Sequence, residues 1–203
     1  MFNQLCHPHR GMCQFICILL LFLSHNLVNA QDLKGSVYNP GSLKPTDSSP
    51  LVKVGDVAPD FSLPDLKGGK VSLSNFRDRQ NVVLSFIPAA WTPVCSQQWP
   101  GYNLVKDIFE ANNATLIGIS VDNIPTLYAW TEQMGKLWFH VASDFWPHGE
   151  VAKEFGILRS DGVPERATII IDKKGVIRYV DVHDINTIPR LENLVNELEK
   201  LPK

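Results

Sequence analysis

The chain has 203 residues, a length that suits one domain. Hydrophobic residues make up 44% and charged residues 20%, the balance of an ordinary soluble globular protein. The formal net charge of −2, with Lys and Arg scattered and no basic run interleaved with aromatics, excludes a general attraction to nucleic acid or anionic lipid.

In chain order, residues 1–30 read as a secretory signal peptide. His7, His9 and Arg10 make a weakly basic start, and an apolar run follows over residues 15–23. That run is short of the ~20 apolar residues that cross a bilayer. Val28-Asn29-Ala30 then offers small residues for a signal peptidase. The short run disfavours an uncleaved anchor, and no Cys follows it to support a lipoprotein. The expectation is an exported chain, periplasmic or secreted, without stable membrane insertion once the signal is cleaved. Cleavage after Ala30 removes Cys6, Cys13 and Cys17 and leaves Cys95 alone. It also removes Arg10, so 18 basic residues face 21 acidic ones for a net charge of −3. A single thiol cannot close an internal disulfide. In an oxidising compartment it is an inert buried residue, half of an intermolecular bridge, or a reactive group.

Residues 31–53 are rich in Gly, Ser, Pro and Asn and read as a flexible linker or an extended arm. A folded domain is expected over 54–203. Residues 81–87 are a near-continuous apolar run of strand length, as in a strand covered on both faces. Pro88 stops it. A helix is predicted over 93–111, a second buried strand over 114–121, a helix over 124–134 and a short strand over 138–142. A short helix over 147–155 follows. Two strands, 168–171 and 176–182, are joined by a hairpin-type turn at Asp172-Lys173-Lys174-Gly175. An amphipathic helix over 188–201 closes the chain, with Leu191, Leu194, Val195 and Leu198 at helical spacing. Strand–helix units give a parallel core, and the late hairpin adds an antiparallel portion. The expected fold is α/β, a thioredoxin-like mixed sheet flanked by helices.

The turn after the first core strand carries the chemistry. It reads Pro88-Ala89-Ala90-Trp91-Thr92-Pro93-Val94-Cys95. Thr92 is a good N-cap, whose side-chain oxygen can accept an orphan backbone N–H. Pro93 suits the first helical position, where its missing N–H costs nothing. Cys95 then falls in the first helical turn, where free N–H groups and the positive end of the helix dipole favour thiolate over thiol. A free Cys is otherwise often a small buried hydrophobe. No metal site is expected, because no second Cys remains and His140, His148 and His183 lack ligand spacing.

Pro88, Thr92 and Cys95 match the Pro-x-x-x-Thr/Ser-x-x-Cys signature of the peroxiredoxins, and the segment resembles that family. The resemblance extends through Val57-Ala58-Pro59-Asp60-Phe61, the segment from Ser143 to Gly149, and the segment from Arg166 to Asp172. With no second Cys, the chain looks most like the one-cysteine, AhpE-like group. The resemblance implies a thiol peroxidase acting on hydrogen peroxide or organic hydroperoxides. Cys95 would attack a peroxide oxygen and become a sulfenic acid. Thr92 would hydrogen-bond peroxide and thiolate, Arg166 would supply positive charge, and Pro88 would limit water. The N–H groups of Val94 and Cys95 would complete the oxygen-binding frame. No cofactor is implied. An external thiol or redoxin would be the reductant, and a homodimer is the implied assembly.

Two positions depart from common family patterns. Gln98 stands where many relatives carry Glu, which removes a negative charge from the network that orients Arg166. Pro100 stands where some relatives carry a resolving Cys, and it should bend the helix. A thiol–disulfide oxidoreductase would need Cys-x-x-Cys, of which only the second Cys is present. A non-catalytic redox-sensing or binding module would keep the fold without needing Pro88, Thr92, Cys95 and Arg166 together.

Overall fold

The computed structural model describes residues 37–201. The expected signal peptide, residues 1–30, and the first part of the linker lie outside the described residues. A small antiparallel hairpin comes first, β1 (Ser62–Pro64) with β2 (Lys70–Ser72). The main elements follow: β3 (Asn81–Phe86), α1 (Pro93–Tyr102), α2 (Lys106–Ala111), β4 (Ala114–Ser120) and α3 (Ile124–Glu132). Next come β5 (His140–Ser143), α4 (Glu150–Glu154), β6 (Arg166–Ile171), β7 (Ile177–His183) and α5 (Leu191–Glu199). Among the described residues no helix is long and apolar enough to cross a membrane.

The main sheet has the order β5-β4-β3-β6-β7. β3 runs parallel to β4, and β4 to β5, while β6 and β7 are antiparallel additions. This is the expected thioredoxin-like mixed sheet. Side-chain alternation along β3 splits the core in two, as a strand buried on both faces requires. Val82, Leu84 and Phe86 join Phe61, Phe155 and Ile169 on one face. Val83 joins Trp99, Phe109, Trp130, Ile170 and Leu198 on the other.

This topology brings distant residues to one edge. β3 ends at Phe86, beside Ala167 in the antiparallel register, so Arg166 at the start of β6 lies at the edge where the 87–92 loop leaves β3. The end of β4 lies at the same edge because β4 is parallel to β3.

The expected single helix over 93–111 is broken. It ends at Tyr102, passes through a 3-10 turn at Asn103–Val105 and resumes as α2. Pro100 sits inside α1 and cannot donate to the carbonyl one turn back. Residues 37–53, expected as a flexible linker or an arm, lie as an arm tied to the domain: the Leu51 N–H donates to Phe155 O at 3.1 Å and the Ile185 N–H to Pro45 O at 3.0 Å. Their turn-rich composition gives no sheet or helix, and long-range backbone and side-chain partners, Asn186 and Glu165 among them, satisfy the backbone instead.

Two positions in this frame give measurable consequences. A Cβ at Gly118 of β4 would lie 2.6 Å from the Trp99 ring, so the strand accepts only glycine where α1 packs on it. Gly118→Ala should lower stability by about 1–3 kcal/mol through overpacking, read as a lower urea midpoint with an unchanged slope. Asp144 is buried, and its carboxylate accepts from the Val151 and Ala152 N–H groups at 3.2 and 3.0 Å. Burial pushes its pKa up to about 6, against the opposing pull of those amides. The unfolded chain therefore ionises this group before the folded one does. Its contribution favours folding at low pH and is lost as pH rises from about 4 through about 6, by roughly 3 kcal/mol. The stability difference between the parent and Asp144→Asn, from urea titrations at several pH values, should fall across that window and level off above it.

Candidate active site

The loop after β3 is fixed from three sides. The Ile87 N–H donates to Ile119 O at 3.0 Å, and the Ala90 N–H donates to Asp122 Oδ2 at 2.7 Å. Trp91 sits at φ 61°, in the left-handed region, and its carbonyl accepts from the Tyr38 N–H at 2.7 Å. Thr92 is extended (φ −110°, ψ 152°) and Pro93 takes the first helical position, as the sequence predicts.

The expected capping bond from the Thr92 side chain is not made. Its hydroxyl instead donates to Ala89 O at 3.0 Å, while its carbonyl accepts the first intrahelical bond from the Ser96 N–H at 3.0 Å. With its proton committed backwards, the Thr92 oxygen keeps its lone pairs as acceptors. Val94 and Cys95 come before any carbonyl their N–H groups could reach within the helix.

Cys95 has no exposed surface and belongs to the apolar cluster containing Val83 and Trp99. Burial alone would suit an inert thiol, but its neighbour does not. Arg166 Nη2 donates to Cys95 Sγ at 3.5 Å, across 71 residues of sequence. Arg166 is itself only 2% exposed. Its other donors reach Ile185 O (Nη2 at 3.0 Å, Nε at 3.3 Å) and, from Nη1, Gln98 Oε1.

Gln98 is aimed by its own amide, which donates to Tyr102 Oη at 3.0 Å and Ser85 Oγ at 3.3 Å. The neutral Gln98 side chain therefore orients the guanidinium without neutralising it. Among the described residues no carboxylate pairs with Arg166. Asp184 is near enough to feel its charge, but its carboxylate accepts from the Asn186 backbone N–H and side-chain amide. Buried charges are normally paired, and Cys95 is the one hydrogen-bond partner of this guanidinium that can carry the opposite sign.

Pro88, Thr92, Val94 and Arg166 line a pocket of about 500 Å³. Cys95 adds no surface to it, but its sulfur lies 3.5 Å from Nη2 of the lining residue Arg166. The four predicted residues other than Pro88 thus gather within one helix start and one strand start, and Pro88 joins them at the pocket wall. The histidines are engaged elsewhere: His148 Nε2 lies 2.7 Å from Gly162 O and His140 Nδ1 2.7 Å from Asp65 Oδ2. Trp99 packs against Trp130 with ring centroids 5.1 Å apart, a core role.

Several residues escaped sequence reasoning. Asp122, which holds the loop through Ala90, had no motif of its own. Ile185 acts through its carbonyl, which no side-chain pattern reports. Residues 38–43 and Asn186 also line the pocket, although their composition reads as linker and loop.

Comparison with known proteins agrees with this geometry. Residues 54–180 match the model of the AhpC/TSA family. Alkyl hydroperoxide reductase E of Mycobacterium tuberculosis is 35% identical over 133 residues, which cover 65% of this chain and 86% of that protein. A chloroplastic 2-cysteine peroxiredoxin of Chattonella marina var. antiqua is 29% identical over 159 residues, or 74% of this chain and 80% of the relative. The solved structure of reduced Plasmodium vivax 2-Cys peroxiredoxin superposes with a TM-score of 0.68 at 25% identity, covering 73% of this chain and 81% of that one. The chain belongs to the AhpC/TSA family and is a thiol peroxidase, a peroxiredoxin of the AhpE-like type.

Proposed function

We propose that the protein, exported by its N-terminal segment, reduces hydroperoxides by a one-cysteine mechanism centred on Cys95. The observation that carries this reading is the buried Arg166 guanidinium, unpaired with any described carboxylate and donating to Cys95 Sγ at 3.5 Å. The sulfur attacks the terminal peroxide oxygen. An S–O bond forms, the O–O bond breaks, and the leaving oxygen takes a proton to depart as alcohol or water. Sulfur loses two electrons and the peroxide gains them, leaving a sulfenic acid on Cys95.

Thr92 Oγ1 accepts a hydrogen bond from the peroxide hydroxyl. The Val94 and Cys95 N–H groups and Arg166 stabilise negative charge as it develops on the leaving oxygen. Pro88 closes the loop side of the pocket against water. With residues 1–30 removed no second Cys remains. Two equivalents of an external thiol, or a redoxin dithiol, then return the sulfenic acid to thiol, giving one disulfide and one water.

The test follows Cys95 after one equivalent of peroxide, using mass spectrometry of rapidly quenched, digested protein. The Cys95 peptide should gain one oxygen, or become a mixed disulfide when a small thiol is added. Cys95→Ser should abolish turnover. Arg166→Ala should slow Cys95 oxidation by about 10²–10³-fold, the usual cost of one oxyanion-stabilising donor. Peroxide kinetics unchanged in either variant would overturn the proposal.

A further inference from the structure

The pocket has two walls of different origin. Its inner wall is Pro88, Ala89 and the helix start from Thr92 to Val94, with Arg166. Its outer wall is residues 38–43 together with Asp161, Val163, Ile185 and Asn186. The arm and the 185–186 segment both lie outside the 54–180 region that matches the family model. Neither is loosely placed. Leu43 is clamped at two points, its N–H donating to Asn186 Oδ1 at 2.8 Å and its carbonyl accepting from Asn186 Nδ2 at 2.9 Å. Asn186 is oriented in turn by Asp184 Oδ1, at 2.9 Å from its N–H and 2.8 Å from its side-chain amide. The arm also grips the reactive elements, through the Tyr38 N–H on Trp91 O and through the Ile185 N–H on Pro45 O.

The volume of about 500 Å³ falls in the range of small-molecule pockets, roughly 300–1,000 Å³. Hydrogen peroxide has two heavy atoms and needs little more room than the ~30 Å³ that a water takes in the liquid. Pro40, Leu43, Val163 and Ile185 give the outer wall apolar surface beside the polar Asn39, Ser42, Asp161 and Asn186, while Thr92 and Arg166 supply the polar groups of the inner wall. A ligand matching this lining lays an apolar body on Pro40, Leu43, Val163 and Ile185 and turns an O–O terminus to Thr92 and Arg166.

The geometry points to residues 38–43 as a specificity-determining wall: held by Asn186, they seat the apolar body of an organic hydroperoxide while its O–O group reaches Thr92 and Arg166. This inference rests on the peroxidase reading above. Leu43 contacts the substrate body, and Asn186, itself on the wall, also positions Leu43.

The test uses the full chain and compares cumene hydroperoxide with hydrogen peroxide. Rates are read as oxidation of the Cys95 peptide in rapid-quench samples. The ratio of the two second-order rate constants should fall about tenfold in Leu43→Ser and in Asn186→Ala, the scale of losing a few apolar contacts. A ratio that stays at the parent value in Leu43→Ser overturns the wall, and in Asn186→Ala it overturns the clamp. Equal slowing with both peroxides, the signature of a merely structural effect, overturns the proposal as well. Failure of both peroxides to oxidise Cys95 in the parent protein overturns the peroxidase reading itself, and the wall with it.

Discussion

One buried positive charge constrains the rest of this structure. Arg166 is withdrawn from water, and taking an ion out of water costs several kcal/mol unless partners compensate. Three groups meet it: the Ile185 carbonyl, the Gln98 amide oxygen and the Cys95 sulfur. The first two are dipoles. They direct the guanidinium and satisfy its donors, yet leave its charge standing. A carboxylate at position 98 would have met both needs and competed with the sulfur for the cation. The amide leaves the sulfur without that competitor.

Holding that contact requires the strand order, the helix start and the packing under the helix together. An antiparallel β6 begins where β3 ends, which delivers Arg166 to the loop carrying Thr92 and the helix carrying Cys95. Pro93 sets where α1 begins, and Asp122 fixes the approach through Ala90. The depth of α1 is set below by Trp99, whose ring fills the space left by Gly118 and whose indole N–H reaches Ser85 Oγ at 3.3 Å. Ser85 also accepts from the Gln98 amide, so one hydroxyl in the middle of β3 serves both helix packing and guanidinium orientation.

Much of this was legible in the sequence, because it depended on local rules. The 81–87 and 114–121 runs are apolar on both faces, and only a central strand tolerates that. Thr92-Pro93 announces a helix start that puts Cys95 in the first turn, and the start is where it was expected. Other features were hidden because their causes are non-local. The sequence predicts one helix over 93–111 and Pro100 foretold a bend, but the 3-10 break at Asn103–Val105 comes three residues later. The Thr92 hydroxyl turned to Ala89 because the loop geometry, not the helix, decides its nearest acceptor. The arm reads as a linker because Gly, Pro and Ser carry no periodicity, and its fastening depends on Asn186 and Glu165, more than a hundred positions away. Alternation could have found part of this. A polar Glu165-Arg166 pair opening an apolar strand must send its two charges to opposite sides.

That last point explains why Arg166 is left without an acidic partner although a buried carboxylate is its neighbour in sequence. Glu165 is fully buried and pairs with Arg159 at 2.7 Å. Its other oxygen accepts from the Asp47 and Ser48 N–H groups at 2.5 and 2.7 Å. Successive residues of an extended chain face opposite ways, so this acid serves the arm while the next residue serves the sulfur. Two buried charge systems thus stand back to back at the start of β6, one fastening the outer wall of the pocket and the other held against the reactive atom. A register slip of one residue would exchange them, bringing Glu165 toward the sulfur and Arg166 toward the arm. The antiparallel pairing of Ala167 with Phe86 prevents that exchange. The cation stays free for Cys95 because the anion beside it is already spent on Arg159 and the arm.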